Sequence, residues 1–128
     1  MRRILVAEDR PASLELTRTI LESSGYEVIE ALDGKEALEK ACANTVDLIL
    51  LDLQMPQLNG FQTLAELRKN PRFKETPIVA LTANAMQGDR ERALAAGFSS
   101  YLAKPVDISV LRSEIDRLIG ANAISCPK

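Results

Sequence analysis

The sequence predicts an α/β fold, namely a doubly wound, five-stranded parallel sheet with helices on both faces. Short apolar runs alternate along the chain with amphipathic segments of helical period. One run, Leu48–Leu51, is apolar without interruption, which is typical of a strand covered on both sides. Parallel neighbours need right-handed crossovers, and the helical segments between the strands supply them.

Length and charge narrow the class of protein. A chain of 128 residues with 46% hydrophobic content can bury one core and is short for two. We therefore expect one domain over residues 1–120 and an unpatterned C-terminal tail over 121–128. The formal net charge is -2 and basic residues are scattered along the chain, so no footprint for direct nucleic-acid binding is present.

Targeting signals and metal-binding cysteine patterns are missing from the sequence. No signal peptide is recognisable, and no apolar run approaches the roughly 20 residues that cross a bilayer. We expect a cytoplasmic protein with no membrane partner. The chain has no histidine, and Cys42 and Cys126 show no CxxC spacing, which disfavours a zinc site, a disulfide framework and a Ser-His-Asp triad. Cys42, within a helical pattern, is expected to be a small buried hydrophobe.

Five strands and five helices follow from these patterns. The predicted strands are Ile4–Ala7, Glu27–Ala31, Leu48–Leu51 with Asp52 at its end, Pro77–Thr82 and Ser99–Ala103. Pro11 suits the first turn of helix one, and Gly25 ends it. The apolar positions of helix one include Leu16, Ile20 and Leu21.

The later helices carry recognisable capping signals. Asp33 with Glu36, and Asn59 with Gln62, form capping-box patterns at the starts of helices two and three. Asp107 is placed to cap helix five. In helix two, Ala37, Leu38 and Ala41 are predicted to face inward, and helix three is predicted to end near Asn70 and Pro71. Helix four is predicted over Gln87–Ala96 and is stopped by Gly97. Helix five has Leu111, Ile115 and Leu118 at helical spacing before Gly120.

Acidic side chains follow two of the strands at the edge where a parallel sheet receives ligands. Glu8 and Asp9 follow the first strand, and Asp52 ends the third. Two carboxylates about 4 Å apart repel by roughly 4 kcal/mol at an effective dielectric near 20. A cluster of three therefore calls for a divalent cation or raised pKa values, and oxygen ligands suit a hard cation such as Mg²⁺.

Two further polar residues are placed at the same edge. Thr82 ends the fourth strand and Lys104 follows the fifth. Lys104 would supply a positive charge for a phosphoryl oxygen, while another phosphoryl oxygen completes the shell of the cation. Taken singly, Thr82 is typical of any strand and Lys104 of any exposed surface. Their joint placement with the acids favours a phosphoryl site.

This ordered set resembles the receiver domain of two-component response regulators. The matching pieces are the acidic pair Glu8-Asp9, Asp52 within DLQMP with the following Gly60, Thr82 in ALTANA, and Lys104-Pro105 in YLAKP. The resemblance covers Arg3 to about Ile119. It implies a flavodoxin-like, CheY-like (βα)5 fold with strand order 2-1-3-4-5.

The resemblance assigns a role to each matched residue. It implies that Asp52 is the phosphoacceptor, that Asp9 binds Mg²⁺ directly, and that Glu8 assists through water. The backbone carbonyl of Gln54 would be the remaining protein ligand. Glu8 stands where many members of the family have aspartate, and glutamate is also frequent there.

The resemblance also implies a switch. Thr82 and Lys104 would contact the phosphoryl oxygens, and a cis peptide between Lys104 and Pro105 would aim the lysine into the site. Tyr101 would turn inward once Thr82 has moved toward the phosphoryl group, although a strand tyrosine at a surface edge is also common. The face made by helix four, strand five and helix five would then report the phosphorylation state.

The implied partners are a histidine kinase or histidine phosphotransfer protein, which donates the phosphoryl group, and a downstream protein target. The chain would be either a stand-alone regulator or the receiver of a hybrid kinase. Phosphorylation and dephosphorylation would occur at Asp52 itself, so we expect no enzyme activity on separate substrates.

Three alternatives use the same fold or the same intermediate. A haloacid dehalogenase-type phosphatase needs a second acid two residues after its aspartate, where this chain has Gln54. A flavin binder needs a phosphate-binding loop after strand one, where Arg10 and Pro11 stand. A phosphorylation-independent interaction module is the main alternative. Such modules usually lack the acceptor, the lysine or the acidic pair, and this chain has all of them.

Overall fold

A five-stranded parallel sheet organises the computed structural model, which describes residues 3–53, 59–74, 76–82, 89–103 and 107–120, with backbone alone at 89, 90, 119 and 120. The strands are β1 (Arg3–Ala7), β2 (Glu27–Ala31), β3 (Leu48–Asp52), β4 (Ile78–Thr82) and β5 (Ser100–Ala103). Their order in the sheet is β2-β1-β3-β4-β5, and every neighbouring pair is parallel. The predicted fold class and strand order are confirmed.

Five helices connect and follow the strands. They are α1 (Pro11–Ser23), α2 (Gly34–Ala43), α3 (Gly60–Lys69), α4 (Asp89–Ala96) and α5 (Ile108–Ile115), with a 3₁₀ turn at Pro71–Phe73 and a π-helical turn at Asp116–Gly120. The expected start of helix four at Gln87 lies outside the described residues, as does the tail 121–128. In the described ranges, no helix has the length and apolar character needed to cross a membrane.

The predicted capping residues hold the starts of three helices. Asp33 accepts a hydrogen bond from the Glu36 amide at 2.7 Å. The Asn59 side chain accepts from the amide of Gln62 at 2.9 Å, and the Gln62 side chain accepts from the amide of Asn59 at 3.0 Å. Asp107 accepts from two amides in the first turn of α5. These side chains satisfy donors that the helices leave unpaired.

The sheet separates two hydrophobic layers. Alternate strand residues such as Leu5 and Ile49 pack with α2, α3 and α4, while their neighbours Ile4 and Leu48 pack with α1 and α5. All five residues of β3 are buried. The central strand therefore has an apolar layer on each side, as its uninterrupted apolar run predicts.

Two burial predictions are wrong. Leu16 is 47% exposed, because Leu14, Thr17 and Leu21 form the buried stripe of α1 and leave Leu16 on its flank. Cys42 is exposed. Ala37 and Ala41 form the buried stripe of α2, and position 42 lies about 100° further around the helix.

Candidate functional site

The sheet register brings two acidic residues side by side. Ala7 of β1 pairs with Leu51 of β3, so Glu8, which follows β1, and Asp52, the last residue of β3, lie at the same edge of the sheet. Asp9 follows. One carboxylate oxygen from each of these three residues lies within 4.8 Å of the others. The structure thus brings together the three acids that the sequence placed at this edge.

The three carboxylates differ in their access to solvent. Glu8 is 1% exposed and Asp52 is 4% exposed, whereas Asp9 is exposed. The Arg10 amide donates to Oε1 of Glu8 at 3.2 Å. A cluster with two buried acids and one solvent-facing acid concentrates negative charge at an opening, which is where a cation is most strongly attracted.

The donor set fits a hydrated magnesium ion. Ligands on opposite sides of Mg²⁺, each about 2.1 Å away, lie about 4.2 Å apart. The carboxylate oxygens span up to 4.8 Å, so part of the set can reach one ion directly and the rest through water. Magnesium keeps several waters in most protein sites. Glu8, Asp9 and Asp52 are therefore a chemically suitable set for this ion.

Backbone contacts fix the end of β3. Asp52 pairs with Leu81 in the sheet, and the next amide, that of Leu53, donates to the Leu81 carbonyl at 2.8 Å. The amide of Gly60, at the start of α3, donates to the Leu53 carbonyl at 3.1 Å. Asp52 is therefore held from the β4 side and from the α3 side.

Thr82 lies one residue beyond the partner of Asp52. It is 1% exposed at the end of β4 and pairs with Ala103, the last residue of β5. This register places Thr82 at the same sheet edge as Asp52. Gln54, Lys104 and Pro105, which the sequence also assigns to the site, lie outside the described residues.

Tyr101 and Thr82 face the same side of the sheet. Tyr101 pairs with Ala80, two residues before Thr82, and side chains two apart on a strand share a face. The half-buried Tyr101 ring packs on the layer that includes Ala80 and Ala93 of α4. Its hydroxyl oxygen is shielded from solvent. Thr82, Tyr101 and α4 are thus arranged around one layer of the protein.

An open cleft of about 550 Å³ lies beside Tyr101, between α4 and α5. Glu114 lines it and accepts hydrogen bonds from the Ser100 hydroxyl at 2.8 Å and from Nη2 of Arg117 at 2.7 Å. The hydrogen bond from Arg117 is the main cause that lowers the pKa of Glu114. Sequence reasoning missed these residues, although the three-residue spacing of Glu114 and Arg117 on a helix was a usable signal.

Known proteins match this chain over most of its length. The family model described as "Response regulator receiver domain" matches residues 4–116. The polar-differentiation response regulator DivK of Brucella anthropi is 34% identical over 117 residues, which is 91% of this chain and 95% of DivK.

Solved structures match the fold equally well. The chemotaxis protein CheY4 of Vibrio cholerae superimposes with a TM-score of 0.87 at 31% identity, over 93% of this chain and 99% of CheY4. The receiver domain of sensor histidine kinase PA1611 from Pseudomonas aeruginosa has a TM-score of 0.87 at 40% identity, over 93% of this chain and 98% of that domain. That structure has a magnesium ion coordinated in its active site cleft.

Proposed function

Because the chain belongs to the response regulator receiver domain family, we propose that Asp52 accepts a phosphoryl group and that the resulting acyl phosphate switches a partner-binding face. The carboxylate is a nucleophile held at the ligand edge of the sheet. Receiver domains are signalling domains, and the chemistry of this one is confined to its own aspartate. We propose that the receiver domain covers residues 1–120 and that residues 121–128 lie beyond it.

Magnesium is the cofactor of this reaction. Asp9 and Asp52 would bind it directly, Glu8 would hold one of its waters, and the backbone carbonyl of Gln54 would complete the protein ligands. The span of up to 4.8 Å between the three carboxylate oxygens supports a set in which some oxygens reach the ion directly and one acts through water. When bound, the ion neutralises the charge that develops on the phosphoryl oxygens.

Thr82 and Lys104 bind the remaining phosphoryl oxygens. The burial of Thr82 at the same edge as Asp52 supports its assignment. Lys104 follows Ala103, the partner of Thr82, and the cis peptide that we propose before Pro105 would direct the lysine into the site. The transferred group meets a hydroxyl and an ammonium ion, so positioning and charge neutralisation supply most of the rate acceleration.

Tyr101 carries the signal outward. When Thr82 moves toward the phosphoryl group, it leaves space in the layer under α4, and the Tyr101 ring occupies that space. The shared face of the two side chains supports this coupling. A downstream protein then binds the surface formed by α4, β5 and α5 according to its phosphorylation state.

The phosphoryl donor is a histidine kinase or a histidine phosphotransfer protein, and we place the exchange in the cytoplasm. The relatives include a protein named as a response regulator, DivK, and a receiver domain that is part of a sensor histidine kinase, PA1611. The chain acts either alone or as the receiver of a larger kinase. The proposal includes no direct contact with nucleic acid or membrane.

The cluster of Glu8, Asp9 and Asp52 within 4.8 Å is the observation that carries this proposal. Beryllofluoride, a phosphoryl mimic, tests it when added with Mg²⁺ to ¹⁵N-labelled protein. We expect amide shifts at Asp52 and Thr82 in the wild type and none in Asp52→Asn. Asp47→Asn, one residue before the start of β3, is the matched control. An equal response in Asp52→Asn would assign the mimic to another site.

A further inference from the structure

A half-buried arginine near the end of α3 binds four backbone carbonyls at the sheet edge opposite Asp52. Nη1 of Arg68 donates to the carbonyl oxygens of Phe73 at 2.7 Å, Lys74 at 3.2 Å and Thr76 at 2.9 Å. Nη2 donates to the carbonyl oxygen of Gly97 at 3.0 Å. Among the described residues, no carboxylate forms a salt bridge with Arg68. Burial lowers its pKa.

The bond to Gly97 attaches the end of α4 to α3. Gly97 has a φ of 117°, a conformation that a glycine adopts without steric cost. Its amide donates to the Leu94 carbonyl at 3.2 Å, and the Phe98 amide donates to the Ala93 carbonyl at 3.1 Å. This pair of bonds is the usual glycine-terminated helix end. The Gly97 carbonyl points away from the helix to Arg68.

The described side-chain contacts of α4 are few, and one of them places the Arg92 guanidinium 5.1 Å from the ring centroid of Phe61. Among the α4 side chains that the structure describes, Ala93 alone is buried, and Leu94 is 43% exposed. Just beyond the helix, the buried Phe98 ring meets Phe61 of α3 edge to face, with ring centroids 5.9 Å apart. Few buried apolar contacts make an element easy to displace, so the attachment at Gly97 adds to a small set of described contacts that hold α4.

We propose that Arg68 makes the C-terminal end of α4 a fixed pivot, so that the phosphoryl-dependent movement is confined to the end of α4 nearer Thr82. The anchor follows from the contacts above, and the role of the pivot rests on the proposed phosphorylation switch. An eight-residue helix is about 12 Å long, so a rotation of about 10° at Gly97 displaces the far end by about 2 Å. A small rotation is enough to open or close the layer that receives Tyr101.

Arg72 offers a matched control. It lies in the turn after α3 and donates from Nη1 to the Cys42 carbonyl at 2.8 Å and from Nη2 to the Asn44 carbonyl. Arg72 therefore binds the end of α2 as Arg68 binds the end of α4. Replacing either arginine by methionine removes guanidinium bonds to backbone carbonyls at the same edge, but only one replacement releases α4.

Amide hydrogen exchange in the unmodified protein tests the anchor. Relative to Arg72→Met, we expect Arg68→Met to accelerate exchange of the Gly97 and Phe98 amides about tenfold, the usual effect of losing one charged hydrogen bond. Arg68→Lys, which keeps the charge without the planar fork, should give a smaller acceleration and serves if the methionine variant does not fold. Equal rates at these amides in the Arg68 and Arg72 variants would overturn the anchor.

Beryllofluoride with Mg²⁺ tests the pivot. In the wild type we expect amide shifts that decline along α4 and vanish at Gly97 and Phe98; in Arg68→Met the shifts should extend to both residues. Wild-type shifts at Gly97 as large as those at Asp89 would overturn the pivot. If neither the wild type nor the arginine variants show an amide shift at Asp52, the proposed phosphorylation and the pivot are both wrong. The hydrogen-exchange rates still show whether Arg68 anchors the end of α4.

Discussion

The backbone of Gly60 lies so close to that of Asp52 that a Cβ atom at position 60 would stand 2.7 Å from the Asp52 carbonyl oxygen. The same atom would be 2.8 Å from the Cα of Leu53. Contacts this short involve rigid backbone on both sides. The first turn of α3 therefore sets the position of the end of β3, and with it the position of the proposed phosphoacceptor.

Gly60→Ala is expected both to lower the stability of the protein and to weaken its binding of Mg²⁺. The added methyl must displace the backbone of Asp52 or of α3, and overpacking of this kind costs about 1–3 kcal/mol. Urea denaturation measures the loss of stability, and magnesium titration followed by NMR measures the affinity.

Gly25→Ala is the control for that substitution. Gly25 has a φ of 94°, and beyond its two chain neighbours no atom of the described residues lies within 4 Å of the point where a Cβ would stand. Alanine there adds backbone strain of about 1–2 kcal/mol without a clash. We expect lower stability and unchanged Mg²⁺ affinity. Equal affinity in wild type and Gly60→Ala would show that α3 does not position the site.

Asp9→Asn should remove most of the Mg²⁺ affinity. The substitution takes one charge from a cluster of three acids at its solvent-facing position, while the buried pair Glu8 and Asp52 stays in place. Titration monitored by NMR shifts, or by the combined fluorescence of Tyr26 and Tyr101, gives the dissociation constant. Glu39→Gln, an exposed acid on α2, controls for net charge. Unchanged affinity in Asp9→Asn would remove Asp9 from the ligand set.

The Thr82→Ala variant should still accept a phosphoryl group, but the resulting conformational change at Tyr101 and α4 should be weaker. The hydroxyl links the phosphoryl oxygen to the layer under α4, and couplings of this kind amount to roughly 1–3 kcal/mol. NMR with beryllofluoride should show reduced shifts at Tyr101 and α4 in the variant. Thr17→Ala, a buried threonine on the opposite face, is the control. Equal shifts in Thr82→Ala and wild type would refute the role of Thr82.

The pKa of Glu114 should rise in Arg117→Met, because the Arg117 hydrogen bond is the main cause that lowers it. A carboxyl whose pKa is lowered by folding stabilises the protein above its unfolded pKa, and this contribution is lost as pH falls through the folded pKa. We expect a stability difference below about 1 kcal/mol near pH 7 that shrinks as pH falls below the usual glutamate pKa of about 4.3.

An NMR titration of the Glu114 carboxyl carbon, with denaturation at both pH values, measures these effects. Arg112→Met is the control, since Arg112 lies on the same helix and donates to the Ser24 hydroxyl. A Glu114 pKa that is the same in wild type and Arg117→Met would contradict the assignment of the shift to that hydrogen bond.

Local signals in the sequence predicted most of the fold. Uninterrupted apolar runs marked the central strands, and the capping residues Asp33, Asn59 and Asp107 marked the helix starts. Leu16 and Cys42 were assigned wrongly because a helix of mixed apolar residues has more than one possible buried stripe. Packing against the sheet selects one of them.

The candidate site was predictable as far as strand ends define it. Glu8, Asp9 and Asp52 could be placed at one edge because parallel strands share their direction. The anchor formed by Arg68 was not predictable, since the four acceptors of its hydrogen bonds are backbone carbonyls from residues up to 29 positions away. Every residue has a backbone carbonyl, so residue types in the sequence do not show which carbonyls an arginine binds. Only the folded structure shows this.

Intact-mass measurement after treatment with a small phosphodonor and Mg²⁺ tests the central claim most directly. We expect the wild type and Asp47→Asn to gain a single phosphoryl group that is lost in base and retained in acid, as an acyl phosphate requires, and Asp52→Asn to gain none. A phosphoryl group that persists in Asp52→Asn, or a wild type that gains none when magnesium is bound, would contradict the account.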